Sequence, residues 1–356
     1  MLSQARTSGS RLPGSWCWTS KSLPVPRPRR RARCPRPAIR AAGAGERRRP
    51  GRPVSAPGVQ PERRHPCKHP NSTGRRASLT SCDSTSTKDA PQATSLPLRT
   101  LFAQPGCRLG VFVPAGLNAA AAERRHLDGL AQAGAALFEV GLAHHTPFLD
   151  GPVIQNAYHR ILQGGRVLDR TVSAVEHAAG LRPTVVMTYW EPVSRHSPER
   201  LAHLLADAGA AGVMVVDLPD GQAARWHDTA RNAGLHTPHL IPRTIPDASL
   251  PNAVTGASGW LYAPASTATT GYQGPLDIQP LAALIQRLRA ASPLPVVSGV
   301  GISTPALAAR VAPLVDAVVI GTPIVRALAS DPGRAPALAA SFAQALRAAP
   351  LTKTSA

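Results

Sequence analysis

Two carboxylates eleven residues apart, Glu139 and Asp150, are the residues of this sequence best placed for acid–base chemistry. Glu139 lies in Leu137-Phe138-Glu139-Val140-Gly141, an apolar run that reads as a strand. Ionising a carboxyl there is costly without a partner, so burial raises its pKa and suits it to donating a proton. The position is equally compatible with an outward-facing Glu at a strand end. Asp150 lies in Pro147-Phe148-Leu149-Asp150-Gly151-Pro152, a turn leading into a helix. Asp-Gly-Pro alone reads as a helix-capping turn. Beside a strand-borne Glu it becomes a candidate second carboxylate.

Glycine-rich segments point to an anion. The chain reads Gly299-Val300-Gly301-Ile302-Ser303 after one apolar run and Gly321-Thr322-Pro323-Ile324-Val325 after the next. Glycines let backbone N–H groups approach a phosphate, and a helix N-terminus adds donors and a favourable dipole. A third such loop is Thr269-Thr270-Gly271-Tyr272. His144-His145 has no third ligand nearby in sequence, so a metal site is not expected.

Residues of these kinds need elements to position them. From about residue 98, short Val/Ile/Leu-rich runs alternate with Ala-rich helical stretches. Strands are expected at 109–113, 136–140, 184–187, 212–216, 237–241, 260–263, 295–298 and 317–320. Helices are expected at 119–133, 197–208, 221–233, 277–291 and 304–311. Ser197-Pro198 and Thr304-Pro305 read as helix starts, with the hydroxyl capping and Pro in the first turn. Gly209 and Gly234 read as helix stops. Eight strand–helix units in roughly 250 residues predict an α/β chain folded as a (β/α)8 TIM barrel, with chemistry at the C-terminal ends of the strands. The first strand is followed by Pro114-Ala115-Gly116-Leu117-Asn118, which lacks the fingerprint of a dinucleotide-binding open sheet.

Charge divides the chain at the same place. Of 40 Lys and Arg, 21 fall in residues 1–100 with only four acids, a net of +17; the remainder carries +3. Residues 1–96 are Arg/Pro-rich, with no sustained period of large aliphatics, and read as a disordered extension ahead of a catalytic barrel at 97–356. An unstructured extension, or a start assigned too far upstream, is preferred to a transit peptide, which would imply a plastid. A nucleic-acid arm is disfavoured because stacking aromatics are almost absent after Trp18. Cys17, Cys34, Cys67 and Cys82 form no C-x-x-C pair, and Cys107 fits a reducing, cytoplasmic setting. No apolar run is long enough to span a membrane.

Taken in order, these motifs resemble the tryptophan synthase α subunit family from about residue 98 to 348. The resemblance rests on 137–141, on Asp150-Gly151-Pro152-Val153-Ile154-Gln155-Asn156-Ala157, on Val186-Met187-Thr188-Tyr189-Trp190, and on Val216-Asp217-Leu218-Pro219. It implies a carbon–carbon lyase that cleaves indole-3-glycerol phosphate to indole and glyceraldehyde 3-phosphate in tryptophan biosynthesis. On this resemblance Glu139 protonates indole C3 and Asp150 holds the indole N–H. Tyr262 lies near Glu139, and Asp217 supports the Asp150 loop through Thr270, with Tyr189 also supporting. The phosphate rests on Gly271, Gly299, Gly301, Gly321 and Thr322, with Ile302 and Ser303 adjoining. No cofactor is implied in this chain; pyridoxal phosphate belongs to a β subunit, the partner in an αββα tetramer. Two departures stand out. The 114–118 loop is short and lacks the family's Gly-Asp-Pro and aromatic residue. Residues 143–147 read Ala-His-His-Thr-Pro where the family has Pro-Phe-Ser-Asp-Pro, on the surface that faces the β subunit. These departures leave two alternatives: a stand-alone lyase releasing free indole, and a non-catalytic phosphate-ligand-binding paralogue.

Overall fold

The computed structural model describes residues 98–350, so the readings of residues 1–96 lie outside the described residues. After an opening helix, Leu98–Ala103, eight parallel strands follow one another around a barrel. They are β1 (Arg108–Pro114), β2 (Leu137–Gly141), β3 (Thr184–Thr188), β4 (Gly212–Val215), β5 (His239–Leu240), β6 (Leu261–Tyr262), β7 (Val296–Ser298) and β8 (Ala317–Ile320). The lateral order β4-β3-β2-β1-β8-β7-β6-β5 leaves β4 and β5 as neighbours to be joined. They are joined by one bridge, Gly212 to His236, in which the Val213 amide donates to the His236 carbonyl at 2.8 Å. The strands are Val-rich and, apart from Arg108 and β5, buried on both faces, as parallel strands covered by helices must be.

β5 is shorter than the expected 237–241. The Thr237 amide is taken by the Ser258 hydroxyl at 2.8 Å, and the Thr237 hydroxyl donates to the Gly256 carbonyl at 2.9 Å. A side-chain partner from a segment distant in sequence here replaces the strand ladder. Helix ends mostly follow the sequence signals: Gly209 and Gly234 adopt φ of 87° and 77° just beyond Pro198–Asp207 and Asp220–Asn232. The Thr304 hydroxyl accepts from the Leu307 amide at 3.2 Å and caps Pro305–Val311. Ser197 is a correction. At φ 65° its hydroxyl turns to Glu199 Oε2 at 3.0 Å and caps nothing.

Between β2 and β3 the chain makes two helices. Val167–Leu181 packs on the outside of β2 and β3. Pro152–Gln163 packs instead on β1 and on Thr322–Ser330, the helix that follows β8. It therefore lies over the C-terminal mouth, and its buried face carries Ile154, Ala157, Tyr158 and Ile161. Gly164, Gly165 (φ 64°) and Arg166 (φ 51°) break the chain between the two helices. Strand register fixes what points inward. Phe112, Glu139 and Val185 are laterally paired, and Gly141 and Met187 follow two residues on along the same face.

Candidate active site

Glu139 is buried in β2, 3% exposed, and its Oε1 has no hydrogen-bond partner. Burial alone pushes its pKa up to about 8, so it holds a proton at neutral pH. No hydrogen bond to Oε1 offsets the cost of ionising it, so the proton is retained at neutral pH and is available for transfer.

Asp150 is buried too, 1% exposed, but its environment is polar. Tyr189 donates to Oδ2 at 2.9 Å and Thr270 donates to Oδ1 at 3.2 Å. Burial raises this carboxyl to about 6, with the two hydroxyl bonds acting against the rise. The two acids are thus separated in character: one protonated at neutral pH, the other an anion held by hydroxyls. Pairs of carboxylates with unlike surroundings are what proton donation combined with charge stabilisation requires.

The loop carrying Asp150 is stitched to the loop after β6. The Thr270 hydroxyl that donates to Asp150 also accepts from the Gly151 amide at 2.8 Å, and the Thr270 amide donates to the Leu149 carbonyl at 3.3 Å. A Cβ at Gly151 would lie 1.9 Å from the Thr270 carbonyl oxygen, so only glycine permits this approach. The Gln155 side chain closes the turn by donating to the Asp150 carbonyl at 2.7 Å. Asp217 does not reach Thr270, as the resemblance implied; its Oδ1 accepts from the Trp190 amide at 2.6 Å and braces the loop after β3. Tyr189 occupies the same loop and gives its hydroxyl to Asp150 directly.

Three glycine loops converge at the opposite side of the mouth. Gly271 (φ 86°) packs so closely on Thr322 that a Cβ would lie 3.2 Å from its Cγ2. Gly301 (φ 96°) meets Ser266 of the loop after β6, where a Cβ would come within 2.8 Å of the serine Cβ. Val300 shares the left-handed region at φ 33°. Gly321 stands at the N-terminus of Thr322–Ser330, with Thr322 buried. Ile302 is buried and Ser303 half-buried beside Gly301. Gly299 leaves room for Tyr262: a Cβ there would sit 1.9 Å from the Tyr262 hydroxyl, which accepts from the Val300 amide. Tyr262 is buried, and the charges of Glu139 and Asp150 both act on it, which places the phenol at the junction of the carboxylate and glycine halves.

His144 and His145 separate. His145 is exposed, whereas the His144 ring is buried and stacks on Tyr189 with centroids 4.9 Å apart. His144 Nδ1 lies 3.3 Å from Glu191 Oε2. Among the described residues no three His, Cys, Asp or Glu side chains are grouped to hold a metal ion.

Sequence reasoning passed over two buried groups. Glu123 accepts from the Gly116 amide at 2.7 Å and pins the loop after β1. Tyr158, on the mouth helix, sends its hydroxyl to the inward face of β2 and β3, 3.9 Å from Met187 Sδ. A tyrosine spaced with Ile154, Ala157 and Ile161 reads as core, and no signal marked its hydroxyl.

A family description for the tryptophan synthase alpha chain matches residues 101–350. The chain belongs to the tryptophan synthase alpha chain family. Among curated relatives, the tryptophan synthase alpha chain of Streptomyces coelicolor is 37% identical over 245 residues, covering 66% of this chain and 90% of that one. The alpha chain of Streptomyces avermitilis is 38% identical over 204 residues, covering 56% and 73%. Among solved structures, a tryptophan synthase of Mycobacterium tuberculosis superposes with a TM-score of 0.65 at 30% identity, covering 70% of this chain and 98% of its own. As a family member the chain is a carbon–carbon lyase of the alpha-chain type, serving tryptophan biosynthesis. No helix among the described residues is long and apolar enough to cross a membrane.

Proposed function

We propose that Glu139 and Asp150 carry out the cleavage of indole-3-glycerol phosphate, with its phosphate on the three glycine loops. Glu139 gives its proton to indole C3. Asp150, as an anion, accepts the indole N–H and stabilises the positive charge that then spreads over the ring. The bond between C3 and the glycerol carbon breaks, its electrons return to the ring, and the adjoining hydroxyl becomes the aldehyde of glyceraldehyde 3-phosphate. The hydroxyl proton returns to the Glu139 carboxylate, restoring the starting state. The amides of Gly271, Gly301, Gly321 and Thr322 receive the phosphate, and the helix that starts at Thr322 adds its dipole. The observation that carries this reading is the contrast between Glu139, with an unpartnered Oε1, and Asp150, held by two hydroxyls.

The partner proposed is a pyridoxal-phosphate-containing β subunit in an αββα assembly, in the cytoplasm. A second reading is a stand-alone lyase, favoured by one observation: the β-facing loop carries His144, stacked on Tyr189 and beside Glu191. Indole release from indole-3-glycerol phosphate by the full chain, with and without a tryptophan synthase β subunit, separates the two. Release that is slow alone and strongly raised by the β subunit supports the assembly. Fast release indifferent to it supports the stand-alone lyase, and no release in either case overturns both.

A further inference from the structure

Tyr158 has a chemistry that packing does not explain. Its ring is fully buried on the helix crossing the mouth, yet its hydroxyl has only a thioether, Met187 Sδ at 3.9 Å, as its partner. A buried phenol donor without an oxygen or nitrogen acceptor is unfavourable. The hydroxyl is admitted by Gly141, where a Cβ would lie 2.6 Å from it. Gly141 stands two residues beyond Glu139 on the same face of β2, so the phenol and the Glu139 carboxyl enter one interior space. An acceptor without a donor, Glu139 Oε1, thus lies in that space with a donor that has only sulfur.

We infer that Tyr158 is a positioning residue for Glu139: its hydroxyl swings from Met187 Sδ to the Glu139 carboxylate when that group has delivered its proton. The inference rests on the assignment of Glu139 as the acid. No proton leaves Tyr158. Its O–H supplies a hydrogen bond to the carboxylate, which later regains its proton from the substrate hydroxyl. Of the other phenols around this space, the Tyr189 hydroxyl is committed to Asp150, and the Glu139 charge acts on Tyr262 as well. Burial, and after it the charges of Asp150 and Glu139, keep the Tyr158 phenol protonated, so a donor is always available.

The test is the pH dependence of kcat/KM for indole release from indole-3-glycerol phosphate, in the parent, Y158F and E139Q. Y158F deletes one oxygen bonded only to sulfur and keeps the ring, and a thermal melt checks that it folds. The high-pH limb, where Glu139 loses its proton, should move up by about one pH unit in Y158F, and kcat should fall about tenfold. Replacing Tyr158 by 3-fluorotyrosine, a stronger donor, should move the same limb below that of the parent. If E139Q is inactive and the limb is unmoved in both Tyr158 variants, Tyr158 is only a core residue. If E139Q stays active, the acid assignment itself falls and takes this inference with it.

Discussion

The hydroxyl of Tyr189, at the end of β3, donates to Oδ2 of Asp150, in the loop after β2, at 2.9 Å. Thr270 matches it on the other oxygen, so the carboxylate is held by donors from the loops after β3 and β6. Tyr189→Phe removes one of these and should raise the Asp150 pKa above its value of about 6. In the proposed mechanism Asp150 acts as an anion, so the low-pH limb of kcat/KM should move upward by about one unit. A limb that stays in place would separate Tyr189 from the chemistry.

Removing either acid function should stop the reaction without unfolding the barrel. Glu139→Gln and Asp150→Asn keep shape and volume, and each should lower kcat by about 10³ or more. Circular dichroism checks the fold, and single-turnover indole release measures the loss. Substantial activity in either variant would refute the role given to that residue.

Glu139 also ties function to stability with a definite sign. Its folded-state pKa of about 8 lies above the usual carboxyl value, so between pH 4.5 and 8 the folded chain holds a proton that the unfolded chain releases. Stability from this group therefore falls as pH rises through that window. Glu139→Gln should melt at a higher temperature than the parent at pH 8.5, while the two should nearly coincide at pH 4.5. Melts at the two pH values check this directly.

The glycine loops should answer through affinity. Gly301→Ala forces a Cβ to within 2.8 Å of Ser266 at φ 96°, which displaces the amide proposed to receive phosphate. KM should rise about tenfold or more, with a smaller change in kcat. Equal loss in both would point to a general distortion of the mouth.

Gly151→Ala tests the stitch between loops. Its Cβ would stand 1.9 Å from a backbone oxygen, where no rotamer gives relief. Stability should fall by about 2 kcal/mol or more and activity with it, measured by denaturant titration and indole release.

Much of this was legible beforehand because its causes are local. Short runs rich in Val and other large aliphatics between Ala-rich helices made the eight strands readable, and the glycines of 299–301 and 321 were placed by their position after the seventh and eighth runs. Glu139 was visible as a charge within an apolar strand, though that position alone fitted an outward-facing side chain equally well. What stayed hidden depends on contacts far apart in sequence. Ser197 looked like a cap but is turned outward at φ 65° toward Glu199. Asp217 braces Trp190, not Thr270, because backbone geometry rather than residue type chose its partner. Tyr158 and Glu123 sit at helix positions whose spacing signals burial alone, so only the fold reveals what their oxygens meet.

The single bridge between β4 and β5 makes the barrel a sheet rolled up and tacked along one edge. Glu139, Asp150 and Tyr189 belong to the half that ends at this edge, and Tyr262, Thr270, Gly301 and Gly321 belong to the half that begins there. The two halves are held together at the far side by the β1–β8 ladder, with four registered pairs. Slow amide exchange should then mark β1, β2 and β8, while Val213 and His236 exchange early, as the seam opens without separating Glu139 from the glycine loops. A backbone nick placed between β4 and β5 would fall at this seam, and the two fragments, one with the carboxylates and one with the glycine loops, would meet along the ladder that holds them in the intact chain.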